Sequence, residues 1–145
     1  MSSTETIVSV DEILDFAISN EQKAHDFYVD LAERNKNSAL KEAFLQFAKE
    51  EMGHKKKLEG IKAGKKGFSK KEKVLDLKIG DYLVDVEADG DLDYQESLIL
   101  AMKREKAAFK LYTDLAGLTD SEELKETFLG LAQEEAKHKL RFEVE

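Results

Sequence analysis

The 145-residue chain contains no Cys, no Pro and no Trp. Without Cys there is no disulfide, no thiolate metal site, no Cys nucleophile and no iron held on four cysteines. With no Pro and only 8 Gly, helix breakers are scarce, which favours long helices. Long apolar runs are also missing. The longest, Leu98 to Met102, falls far short of the roughly 20 residues a membrane span requires. The stretch Met1 to Val8 has neither a basic start nor an apolar segment, so no secretory signal is expected and a cytoplasmic location is. Positive charge is in deficit: 23 Lys and Arg against 31 Asp and Glu give −8, which argues against nucleic acid as a partner. What remains is a chain 41% hydrophobic and 37% charged, long enough for a single domain over residues 1–145.

The most informative feature present is an internal repeat. Residues 15–60 align without gaps on residues 99–144 at an offset of 84, and 18 of the 46 positions are identical. The identities include Glu21/Glu105, Tyr28/Tyr112, Glu50/Glu134, Glu51/Glu135 and His54/His138. Each half is too small to bury its own apolar face, so the two halves are expected to pack together. Helical periodicity predicts helices near 9–35, 38–63, 93–117 and 121–143. Ser9 with Glu12, Asp93 with Glu96, and Thr119 with Glu122 have capping-box spacing. Gly117 and the run Asn35 to Ser38 mark turns. The expected fold is all-α: two helical hairpins, 9–63 and 93–143, forming a four-helix bundle with one long crossover connection, 64–92. Apolar residues between Val74 and Val86 are expected to pack on the bundle, with room for a short helix.

Steps of three and four locate the inward stripe of each helix. The first reads Leu14, Ala17, Glu21, Ala24, Tyr28, Leu31 and the second Phe44, Phe47, Glu51, His54, Leu58, Ile61. The third reads Leu98, Ala101, Glu105, Ala108, Tyr112, Leu115 and the fourth Leu124, Phe128, Leu131, Glu135, His138, Phe142. Every stripe carries a Glu where an apolar residue belongs, and two carry a His one turn later. Four buried carboxylates cost several kcal/mol each unless compensated. Two divalent cations would balance them, with both His neutral. In Glu-x-x-His both side chains share one helix face and reach one ion. Carboxylate with imidazole suits iron, manganese or zinc better than calcium. One Glu from each of two helices plus Glu-x-x-His from the other two is the dinuclear carboxylate arrangement of helical bundles.

Tyr28 and Tyr112 lie two turns beyond Glu21 and Glu105. They read either as core aromatics or as hydroxyls that orient the ligand carboxylates. His25 has Phe109 as its repeat mate and reads as a flanking residue, not a ligand. Glu50 and Glu134 fall off the stripe, toward solvent or a salt bridge.

With these residues in view, the sequence resembles the rubrerythrin branch of the ferritin-like superfamily. The matching stretches are Glu21 to Tyr28 with Ala48 to His54, and Glu105 to Tyr112 with Ala132 to His138. The resemblance covers both hairpins and leaves out the connection. It implies that Glu21, Glu51, His54, Glu105, Glu135 and His138 hold two iron ions and form the catalytic centre, with Glu51 and Glu135 bridging. It further implies an oxidoreductase that reduces hydrogen peroxide or oxygen, or one that handles iron as a ferroxidase. Two departures stand out. The four-cysteine iron domain that feeds electrons in rubrerythrins has no counterpart here, so an external electron-donor protein is expected. The family's additional Glu, one turn from the third-helix ligand, is Ala108 here. A homodimer is the expected assembly. The competing reading is a non-catalytic metal-binding bundle.

Two other segments carry recognisable patterns. Asp85 to Glu96 has the spacing of a twelve-residue calcium loop, with Gly90 at its sixth position. It reads equally as an acidic connection and helix cap. The lysines between Lys62 and Lys73 read as a solvated loop.

Overall fold

The computed structural model describes residues 8–64, 74–75 and 93–144, with side chains placed over 11–64 and 93–139. Four helices make up nearly all of it: α1 (Val10–Glu33), α2 (Ser38–Gly64), α3 (Tyr94–Leu118) and α4 (Glu122–Val144). Each lies within two residues of its predicted bounds, because scarce breakers and intact apolar stripes leave little else to set the ends. A two-residue antiparallel ladder joins β1 (Val8–Ser9) to β2 (Val74–Leu75). It tacks the connection beside the start of α1, and it is too short to carry a period-two signal. The side chains of Ser9 and Phe142, the rest of the connection, and the first eight residues of the calcium-loop motif lie outside the described residues.

Local chemistry fixes the helix starts. The Asn37 carboxamide accepts from the backbone N–H groups of Ala39 and Leu40, opening α2. Asp93 and Glu96 form the full reciprocal capping box at α3. That uses the last two acidic positions of the calcium-loop motif as cap residues. Thr119 does not cap α4. It ends α3 in extended geometry, and its hydroxyl accepts from the Ser121 N–H. Ser121 is the cap, its Oγ accepting from the Leu124 N–H. Gly117 lies within α3 instead of ending it, and the helix runs on to Leu118.

Helix α1 packs mainly on α2, and α3 on α4, giving the two expected hairpins. Tyr28 of α1 reaches Glu105 of α3 while Tyr112 of α3 reaches Glu21 of α1. The same inversion links α2 and α4, where His54 meets Glu134 and Glu50 meets His138. The hairpins are therefore related by an approximate two-fold axis across the bundle. At one end Arg34 donates to Ser97 Oγ at 2.9 Å and Asn35 donates to the Tyr94 hydroxyl at 2.7 Å, joining the hairpins there.

The core is divided. One apolar cluster centres on Ile13, Leu14, Leu58, Leu115, Phe128 and Leu131. The other centres on Tyr28, Leu31, Phe44, Phe47 and Ala101. Burial of each large side chain contributes about 1.5–3 kcal/mol. Between the clusters lies a layer of acids and imidazoles. Among the described residues, no helix is long and apolar enough to cross a membrane.

Candidate metal centre

The interrupted stripes converge. Glu21, Glu51, His54, Glu105, Glu135 and His138 are each exposed by 2% or less. One ligand-capable atom from each of Glu21, Glu51, His54 and Glu135 lies within 4.8 Å of the others. The same holds for Glu51, Glu105, Glu135 and His138. Glu51 and Glu135 belong to both groups, so two adjacent positions share two carboxylates. All six residues singled out in the sequence are thus brought together, along with both tyrosines.

Burial of this kind is tolerable only if the polar atoms find partners. Many do not find them within the protein. Glu21 Oε1, both Glu51 oxygens, Glu105 Oε1, Glu135 Oε1 and His54 Nδ1 are buried without a hydrogen bond. The inward imidazole nitrogens lie close to the acids, and one of them, His138 Nδ1, hydrogen-bonds to Glu105 Oε2. His54 Nδ1 lies 3.1 Å from Glu51 Oε1 and 3.6 Å from Glu21 Oε1. His138 Nδ1 lies 3.3 Å from Glu105 Oε2 and 3.7 Å from Glu135 Oε1. A layer of orphaned carboxylate oxygens and inward ring nitrogens is the donor set of a hard or borderline cation, and two divalent ions fit it by charge and by ligand type.

Titration behaviour reflects the same crowding. Burial, and then the neighbouring Glu51 charge, push Glu21 up to about 8. Glu105 is raised by burial, and Glu135 well above the ordinary carboxylate range by burial and the surrounding carboxylates. Burial also acts on Glu51, but the adjacent His54 imidazole and Glu135 carboxyl, with His138 beyond, outweigh it and hold that carboxyl down. Burial alone would lower both imidazoles. The acids around them win, raising His54 to about 11 and His138 to about 9. Without a counter-cation the layer retains protons; cations would replace them.

The supporting groups act across the hairpins. Each tyrosine hydroxyl donates to the carboxylate of the opposite hairpin, Tyr28 to Glu105 and Tyr112 to Glu21. Both tyrosines therefore hydrogen-bond acids of the cluster, and both are buried aromatics of the core. The sequence places Glu50 and Glu134 off the stripe, toward solvent or a salt bridge. They are about two-fifths exposed, yet each holds an imidazole of the other hairpin. Glu134 Oε1 is 2.7 Å from His54 Nε2, and Glu50 Oε1 is 2.7 Å from His138 Nε2. With Nε2 tied outward, Nδ1 of each ring faces the cluster. Phe47 packs against the His138 ring at 4.2 Å between centroids. His25 stays outside the centre, its Nδ1 2.9 Å from Asp26 Oδ1.

A cavity of about 150 Å³ reaches the centre from between α1 and α3. Glu21, Glu51, Glu105 and Glu135 line its inner end. Small residues at matched repeat positions, Ala17/Ala101 and Ala24/Ala108, leave this gap. Arg104 stands at its side, with its guanidinium 4.9 Å from the Phe27 ring centroid.

Comparison with known proteins agrees with this geometry. The structure of a Thermotoga maritima protein, provisionally assigned as a ferritin-like diiron-carboxylate protein, is similar with a TM-score of 0.79 and 23% identity, over 94% of this chain and 93% of that one. A hypothetical protein from Pyrococcus furiosus is similar with a TM-score of 0.70 and 30% identity, over 94% of this chain and 87% of that one. No curated protein matches the sequence. The rubrerythrin family profile matches residues 12–91 and 96–144. This chain, a ferritin-like helical bundle, belongs to the rubrerythrin family.

Proposed function

We propose that the chain holds two iron ions and reduces hydrogen peroxide or oxygen with electrons from a separate donor protein. Glu21, Glu51, His54 and Glu135 would hold one ion, and Glu105, Glu135, His138 and Glu51 the other. The observation that carries this reading is the pair of interlocked ligand groups whose buried atoms lack partners in the protein. A ferrous pair would supply two electrons to an O–O bond and stabilise the charge that develops on oxygen. The protein's part is to orient the ligands and restrict water. Tyr28 and Tyr112 fix Glu105 and Glu21, Glu50 and Glu134 fix the imidazoles, and Phe47 and Leu131 shield the layer.

Anaerobic titration with ferrous ion tests the reading. Two ions per chain are expected, followed by rapid stoichiometric oxidation on mixing with peroxide or oxygen. Failure to retain metal, with no gain in melting temperature, would instead support a non-catalytic bundle. The near equivalence of the two ligand groups favours a second reading, ferroxidase activity in iron handling. Oxidation much faster with oxygen than with peroxide, in a large hollow assembly by gel filtration, would establish it.

A further inference from the structure

The cavity between α1 and α3 is larger and more apolar than a diatomic oxidant requires. Its walls are Phe16, Ala24, Phe27, Ala107, Ala108 and Leu111, above the carboxylate floor. Hydrogen peroxide has two heavy atoms and hydrogen-bonds at both; such walls offer it nothing. An apolar space near 150 Å³ accepts a benzene-sized molecule; this cavity reaches that volume with its carboxylate floor and open mouth included. Its outer rim is polar, with Asn20, Lys23 and Arg104. Among the described residues Arg104 has no ion pair; it rests on Phe27 and keeps that ring against the opening. The result is a polar mouth, an apolar middle and an acidic floor.

We infer that this cavity binds a compact apolar organic group, and that the oxidant reduced here is an organic hydroperoxide whose alkyl or aryl group sits between α1 and α3. The binding half stands on the cavity alone; the redox half rests on the function proposed above. In the reaction the O–O bond would break with uptake of two electrons, which a bound ferrous pair would supply, and two protons. The products are an alcohol and a water.

The test separates the two halves. Zinc-loaded, redox-inert protein is titrated with fluorobenzene and followed by fluorine NMR, with tert-butanol as competitor. Saturable binding that tert-butanol displaces is expected in the wild type, and loss of at least tenfold in affinity in Ala108→Leu and, independently, in Ala24→Leu. The wild-type competition needs no variant, and melting curves confirm that each variant is folded. The ferrous protein is then mixed with tert-butyl hydroperoxide or hydrogen peroxide. The ratio of the two oxidation rates should fall at least tenfold in either leucine variant. No saturable fluorobenzene binding, or binding unaltered by both leucines, overturns the inference. Oxidation by hydrogen peroxide with a rate ratio unmoved by the leucines also overturns it and leaves the oxidoreductase reading intact. If neither oxidant reacts, the oxidoreductase reading falls, and the hydroperoxide assignment falls with it.

Discussion

Removing the Glu134 carboxylate should weaken one metal position and spare its neighbour. Glu134 Oε1 lies 2.7 Å from His54 Nε2, and it is the only outward partner found for that nitrogen among the described residues. Hydrogen bonds to charged groups contribute about 1.5–3 kcal/mol. Glu134 is 40% exposed, so solvent screening reduces this to about 1–2 kcal/mol. At 1.4 kcal/mol per decade, Glu134→Ala should weaken the ion beside His54 by about 5–30-fold, which overlaps the lower part of the 10–100-fold range typical when outer partners of metal ligands are removed. Glu50→Ala should do the same at His138. The double variant should show both losses added, because the two glutamates serve different ions. Glu134→Gln keeps an acceptor for Nε2–H and should recover much of the affinity. The assay is competitive titration with zinc or cobalt against a chelator, fitted to two sites. Equal weakening of both sites by Glu134→Ala, or no rescue by Gln, would refute the claim that these acids position individual imidazoles.

Three further outcomes follow from the geometry. Glu51→Ala or Glu135→Ala should abolish both ions, since each residue belongs to both ligand groups, whereas Glu21→Ala should leave one, countable by elemental analysis. Tyr28→Phe should leave Glu105 short of a donor and cost about 1–3 kcal/mol in metal-free stability, read from denaturant midpoints; an unchanged midpoint would contradict the crossed pairing. Metal-free stability should fall as pH rises. Glu21 (about 8), Glu105, Glu135, His54 (about 11) and His138 (about 9) all have raised folded pKa values, so their contributions are present at low pH and lost as pH climbs through those values. Among the acids at the centre, Glu50 and Glu51 are held down, and their contribution is lost below the ordinary carboxylate range. Metal should remove the dependence, so the melting-temperature gain on loading should be larger at pH 8.5 than at 5.5. Since 1 kcal/mol moves the midpoint of a domain this size by about 2–8 °C, calorimetry resolves it.

Much of the fold and centre is legible in the sequence because one fact appears twice. A Glu in an apolar stripe means little alone; the same Glu, and the same His one turn later, at an 84-residue offset mark a layer that must meet. Glu50 and Glu134 were harder. Their angular position puts them off the stripe, and only the inverted packing of α2 on α4 brings each to the imidazole of the other hairpin. Their identity across the repeat was the available signal. Thr119 with Glu122 has the capping-box spacing, but α3 runs on to Leu118 and takes Thr119 as its own end, so the cap of α4 falls to Ser121, whose +3 residue is Leu124 and carries no such signal. The β1–β2 ladder had no pattern to read, being two residues long.

The crossed tyrosines carry one more implication. Neither half furnishes hydroxyls for its own acids; each furnishes them for a mate of the same design. Such a centre is indifferent to covalent continuity. Two separate copies of either half, meeting head to tail, present the same donors in the same places, so today's single polypeptide reads as a fused pair of once-identical subunits.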